Sequence, residues 1–134
     1  MKAQGTFKVK LVPQADAGFE AALGRMTLDK VFEGELEGTS LGQMLAIQGN
    51  VAGSAGYVAL ERVTGSVHGK KGSFHLQHSG TMTRGEPTLS VTVVPDSGTG
   101  ELAGLTGSMR IDPSTHAYEF DYELAEATGE LAET

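Results

Sequence analysis

Apolar and polar residues alternate along most of this chain. In "GTFKVKLV" (5–12), Phe7, Val9 and Leu11 fall on one face and Thr6, Lys8 and Lys10 on the other. "RMTLDKVFEGELEG" (25–38) sets Met26, Leu28, Phe32 and Leu36 against Thr27, Asp29, Glu33 and Glu35. "TLSVTVVP" groups Leu89, Val91 and Val93, and "AYEFDYEL" opposes Tyr118, Phe120, Tyr122 and Leu124 to Glu119, Asp121 and Glu123. A period of two over such lengths is the signature of strands with one buried face. With residues 40–50, 56–68, 72–84 and 99–111 added, the pattern predicts about eight strands, with Gly, Asn, Asp or Pro at most junctions. Helix is expected in at most two places, residues 14–23 and the stretch 124–133, which Gly129 interrupts. Consecutive strands joined by short turns imply an antiparallel meander, closed as an up-and-down barrel or folded as a small sandwich. A closed barrel removes exposed edges and leaves an interior lined by alternate residues. The expected organisation is one all-β domain over 1–125 and an acidic tail over 126–134.

The stretch "ALERVTGSVHGKKGSFHLQHSGTM" (59–82) concentrates the candidate chemistry on one expected hairpin. Lysine resists the positive φ of a two-residue turn at Lys70 and Lys71, so "GKKG" (69–72) is read as a type I turn closed by Gly72. That register pairs Gly69 with Ser73. It puts Leu60, Arg62 and Thr64 on the face of Phe74, Leu76, His78 and Met82, and Tyr57, Ala59, Glu61 and Val63 with His75, Gln77 and Ser79. A slip of one residue instead brings Glu61 beside His78. If the face of Glu61 lines a barrel, Glu61, Gln77 and Tyr57 form a polar cluster in an apolar cavity, the usual form of a small-molecule site. Desolvation would then raise the Glu61 pKa and suit it to acid–base work. The alternative is a solvent-facing polar strip or a set of structural hydrogen bonds. Arg62 and His78, on an apolar face, would be paired, lie at a subunit interface or support a ligand.

Composition narrows the function classes. The 134 residues suit a single core, and the 19 glycines, spread along the chain, serve turns and bulges. A net charge of −7 argues against nucleic acid and anionic membranes as partners. The absence of cysteine excludes disulfides, thiolate metal sites and a thiol nucleophile, and is compatible with a cytoplasmic location. Among the four histidines, His75 and His78 point to opposite strand faces, and His68 and His116 have no evident partners, so no metal or other cofactor is expected. "GTGELAG" lacks the strand–loop–helix context of a phosphate loop, and no serine sits in a nucleophile elbow. The carboxylates of "FEGELEG" and "YEFDYE" fall opposite the large apolar residues and are expected in solvent.

Three motifs, LERxxG, GSFxLQHxG and SGTGELxGLxG, occur together in "ALERVTGSVHGKKGSFHLQHSGTM" and "VVPDSGTGELAGLTGSM", followed by "HAYEFDYEL". Together they resemble a bacterial family of uncharacterised proteins assigned to the allene-oxide-cyclase-like barrel fold, from "QGTFKVK" to "FDYEL". "SGTGELAGLTG" (97–107) is also similar to the glycine-rich strand turn of plant allene oxide cyclases and dirigent proteins. The resemblance implies an eight-stranded antiparallel barrel, often a trimer or other homo-oligomer. It implies no established reaction, and the plant cyclase chemistry is not carried over to a chain without cysteine or the plant sequence pattern. The residues matching the family's motif are Glu61, Arg62, Gln77 and His78. The resulting expectation is a lumen that binds a small, largely apolar ligand, with room for isomerase or cyclase chemistry. Glu61 would be the acid–base or orienting carboxylate, Gln77 and Tyr57 would contact the ligand, and Arg62 and His78 would support the site or an interface. The competing expectation is a structural or interaction barrel with a filled lumen.

Overall fold

The computed structural model describes residues 1–14 and 23–124. The expected helix over 14–23 falls, apart from its two end residues, outside the described residues, as does the acidic tail from 126. The described chain forms β1 (Lys2–Gln14), β2 (Leu23–Gly34), β3 (Leu36–Gln48), β4 (Ala55–Val67), β5 (Lys70–Thr83), β6 (Glu86–Val93), a 3-10 turn at Gly100–Leu102, β7 (Thr106–Asp112) and β8 (Ala117–Glu123). All pairings are antiparallel between sequence neighbours, and β1 also pairs with β8, which closes an eight-stranded up-and-down barrel. A barrel of this size encloses an interior just wide enough for side chains or one small ligand.

The alternation sorts the residues as a closed barrel requires. Phe7, Phe32, Leu36, Val63, Phe74, Leu76, Val91, Met109, Phe120 and Tyr122 are buried inside, while Glu33, Glu35 and Asp121 are exposed. The run 25–38 is two strands. The chain reverses at Gly34–Glu35, so Leu36 opens β3 and does not close β2. Tyr118 pins this reversal: its hydroxyl accepts from the Leu36 N–H at 2.9 Å and lies 2.8 Å from the Leu36 carbonyl.

The β4–β5 hairpin corrects the expected turn. Val67 pairs with Lys70 around a two-residue turn of His68 and Gly69, whose φ values of 47° and 81° are both positive, as in a type I′ turn. Glycine takes that conformation freely, and the His68 ring is tied by a 2.5 Å hydrogen bond between Nδ1 and the Tyr122 hydroxyl. Moving the turn off Lys70 and Lys71 changes the register by an odd number of residues, which exchanges the faces of one strand relative to the other. Tyr57, Ala59, Glu61 and Val63 therefore share the interior with Phe74, Leu76 and His78, and Arg62 faces outward with His75 and Gln77.

The strand expected over 99–111 is shorter than predicted. Residues 94–105 form a loop across one end of the barrel, and β7 starts at Thr106. β5 outruns β6, and the loop takes the hydrogen bonds β6 leaves unmade. Ser73 N–H donates to Thr99 Oγ1, His75 N–H to Ser97 Oγ and Lys71 N–H to a Glu101 carboxylate oxygen. Satisfying these groups lets the loop insert Leu102 and Leu105, both buried, as a plug. The glycine-rich motif thus belongs to the closure of the packed end.

Candidate functional site

At mid-barrel the apolar interior is broken by a charged cluster. Lys30 of β2, Ser40 of β3, Glu61 of β4 and His78 of β5 each point inward and are buried. Lys30 and Ser40 are cross-strand partners, while His78 is paired with Ala59, one inward position along from Glu61. The cluster therefore runs obliquely over four consecutive strands, following the strand stagger that barrel closure imposes.

Glu61 is its centre. One carboxylate oxygen accepts from the Ser40 hydroxyl at 2.6 Å, and the other from Lys30 Nζ at 2.9 Å and from His78 Nε2 at 2.5 Å. Lys30 Nζ also lies 5.0 Å and 5.7 Å from the ring centroids of Phe7 and Phe32, so two aromatic faces share its charge. Burial by itself would push the Glu61 carboxyl upward. The His78 hydrogen bond, the Lys30 charge and the Ser40 hydroxyl outweigh burial and hold it at about 2. This reverses the expected raised pKa: Glu61 is an ionised carboxylate whose oxygens are already engaged. An ionised carboxylate only accepts, so the His78 proton in that bond sits on Nε2.

Beyond the cluster the barrel opens. Toward the end formed by the β3–β4, β5–β6 and β7–β8 connections, inward positions become progressively exposed, from Val9 to Leu11 on β1 and from Val91 to Leu89 on β6. Here lies a cavity of about 530 Å³ walled by Met44, Tyr57, Met82, Leu89, Ile111 and Pro113. It widens where β6 and β7 part, their pairing among the described residues being Thr92 with Ser108. Tyr57 forms its inner wall, lying across Gly80, where an added Cβ would come within 2.4 Å of the tyrosine ring. The His78 ring sits next to Tyr57, their centroids 6.4 Å apart. Burial, then the charge of Glu61, raises the Tyr57 pKa, so its hydroxyl stays protonated.

The comparisons with known proteins agree with the barrel and add a family. The sequence profile of a family described as a protein of unknown function, DUF3224, matches residues 3–122. The chain belongs to the DUF3224 family. A crystal structure of a DUF3224 protein of unknown function from Shewanella oneidensis MR-1 is 48% identical, with a TM-score of 0.87 over 95% of this chain and 98% of that one. No curated protein matches the chain.

Within this DUF3224 barrel, the five residues singled out from the sequence divide between two surfaces. Tyr57, Glu61 and His78 come together inside, whereas Arg62 and Gln77 line a groove of about 750 Å³ on the outer wall with Arg25, Leu41, Leu60 and His75. The expected grouping of Gln77 with Glu61 is therefore corrected. On antiparallel strands the shared face follows the register, and the turn at His68–Gly69 fixes the other one. Lys30 and Ser40 were missed, although the sequence carried a signal for both. Lys30 occupies the apolar parity between Leu28 and Phe32, and Ser40 that of Leu36 and Met44. A lysine inside an otherwise apolar strand face asks for a buried counter-charge. Among the described residues no group of His, Asp or Glu side chains has the arrangement of a metal site.

Proposed function

We propose that the DUF3224 barrel binds a small, largely apolar molecule in the open mouth of its lumen. The observation that carries this reading is the apolar cavity of about 530 Å³ ending at Tyr57, beside the charged cluster. Its size and lining suit one compact ligand with few polar groups. The outer groove is larger, but it lies between outward-pointing side chains on a convex wall and offers less enclosure. The resemblance to allene-oxide-cyclase-like barrels supports the same reading, with isomerase or cyclase chemistry as its finer form. In that form Glu61 acts as a positioning residue, since its oxygens are occupied.

A fluorescent apolar probe, 2-methoxynaphthalene, tests the reading by equilibrium titration. Leu89 is 41% exposed at the rim, so Leu89→Asp places a charge in the mouth without burying it in the core. Affinity should fall by about tenfold or more in that variant, because a charged mouth disfavours an apolar guest. Equal affinity in the two proteins would place the probe elsewhere and defeat the proposal.

Self-association belongs to this reading as well. Its support is the exposed apolar residues Leu41, Leu45, Val58 and Leu60 on the outer faces of β3 and β4. Native mass spectrometry gives the oligomer mass and any co-purified ligand in one run, and a monomer mass at working concentration removes this part.

A further inference from the structure

The cluster has one side-chain nitrogen without a hydrogen-bond partner among the described residues, and it belongs to His78. Glu61 cannot serve, because Ser40, Lys30 and His78 already occupy its oxygens and its side chain is fully buried. Lys30 is turned into Glu61 and held against Phe7 and Phe32. His78 uses Nε2 for Glu61, and its Nδ1 makes no hydrogen bond to the described protein. Yet no buried side-chain nitrogen or oxygen among the described residues lacks a partner. Nδ1 therefore keeps open space beside it, and since the ring points inward next to Tyr57, that space is on the lumen side. With the proton on Nε2, a neutral ring presents a lone pair at Nδ1.

We propose that His78 Nδ1 accepts a hydrogen bond from a hydroxyl on the molecule held in the mouth, with Glu61 as the residue that fixes its tautomer. The inference rests on the mouth being a binding site and names its ligand class: compact apolar molecules bearing one hydroxyl. A carboxylic acid fits less well, because its anion would bring a second negative charge toward Glu61. Tyr57 completes the polar rim with a protonated hydroxyl that can donate to a ligand oxygen.

The test compares 2-naphthol with 2-methoxynaphthalene, which keeps the ring system and loses the donor. The wild-type protein should prefer the naphthol by about tenfold, the worth of one buried hydrogen bond. His78→Leu, which leaves Glu61 with Lys30 and Ser40, should abolish the preference and keep methoxynaphthalene affinity. Two probes that bind equally to the wild type would overturn the assignment of His78 while leaving mouth binding intact. Failure of both probes to bind would remove both readings. Nitrogen-15 NMR of the wild-type histidine rings tests the tautomer independently of any variant's folding. The expected result is a proton on Nε2 and an unprotonated Nδ1 whose resonance moves on adding naphthol. A proton on Nδ1 at about pH 8, or an Nδ1 signal unmoved at saturating naphthol, overturns the proposal.

Discussion

The two ends of the barrel solve the same closure problem in opposite ways. At one end Phe74, Phe120 and Tyr122 stack on one another, and the 94–105 loop drives Leu102 and Leu105 into what space remains. At the other, the inward positions carry Met44, Met82, Leu89 and Ile111, no comparable plug is seen among the described residues, and β6 and β7 separate. The alternation is equally regular at both ends, so side-chain pattern alone does not distinguish a filled lumen from an open one. The difference comes from the aromatic stacks and from the loop that β5 recruits by outrunning β6. The Lys30–Ser40–Glu61–His78 cluster lies at the boundary, buried and hydrogen-bonded, with the His78 ring beside Tyr57, the inner wall of the mouth.

The largest effects should separate the two ends. Phe120→Ala removes a fully buried ring from the packed half and should cost about 3–5 kcal/mol in denaturant unfolding. A cost close to that of a mouth substitution would mean the packed end is not the stability core. At the boundary, Glu61→Gln leaves Lys30 buried without its counter-charge and should cost about 3 kcal/mol near neutral pH.

The Glu61 effect has a pH signature. Its carboxyl titrates at about 2 in the barrel against 4.5 as an ordinary glutamate. Between these values the unfolded chain binds a proton that the native barrel does not. The contribution is complete above 4.5 and is lost as pH falls toward 2. The gap in urea midpoint between wild type and Glu61→Gln should therefore be constant above about pH 5.5 and narrow steadily as pH falls through 4.5 toward 2. A gap that does not narrow would show that the carboxylate is not stabilised by its neighbours.

Smaller effects sharpen the mouth. Gly80→Ala would place a Cβ 2.4 Å from the Tyr57 ring, so the ring must move, at about 1–3 kcal/mol of stability and with altered probe affinity. Unchanged affinity would remove Tyr57 from the binding wall. Met82→Ala, at a position 42% exposed on the rim, should shift stability by about 0.5 kcal/mol or less. A much larger loss would show that the mouth is packed in solution.

The sequence by itself determined an all-β antiparallel meander of about eight strands, and its resemblance pointed to a barrel. The β1–β8 pairing decided between barrel and sandwich, because closure satisfies both the apolar faces and the edges. It also placed Phe32, Phe120 and the surface carboxylates, whose parity holds wherever their strand pairs. The site depended on register, and register depended on which residues made the β4–β5 turn. Reading the turn at Lys70–Lys71 instead of His68–Gly69 put Gln77 on the face of Glu61 and parted His78 from it, because the pleat reverses at every residue. The Glu61 pKa was beyond reach for a related reason. Burial alone raises it, and the hydrogen bond, cation and hydroxyl that lower it come from strands whose stagger only the closed barrel sets.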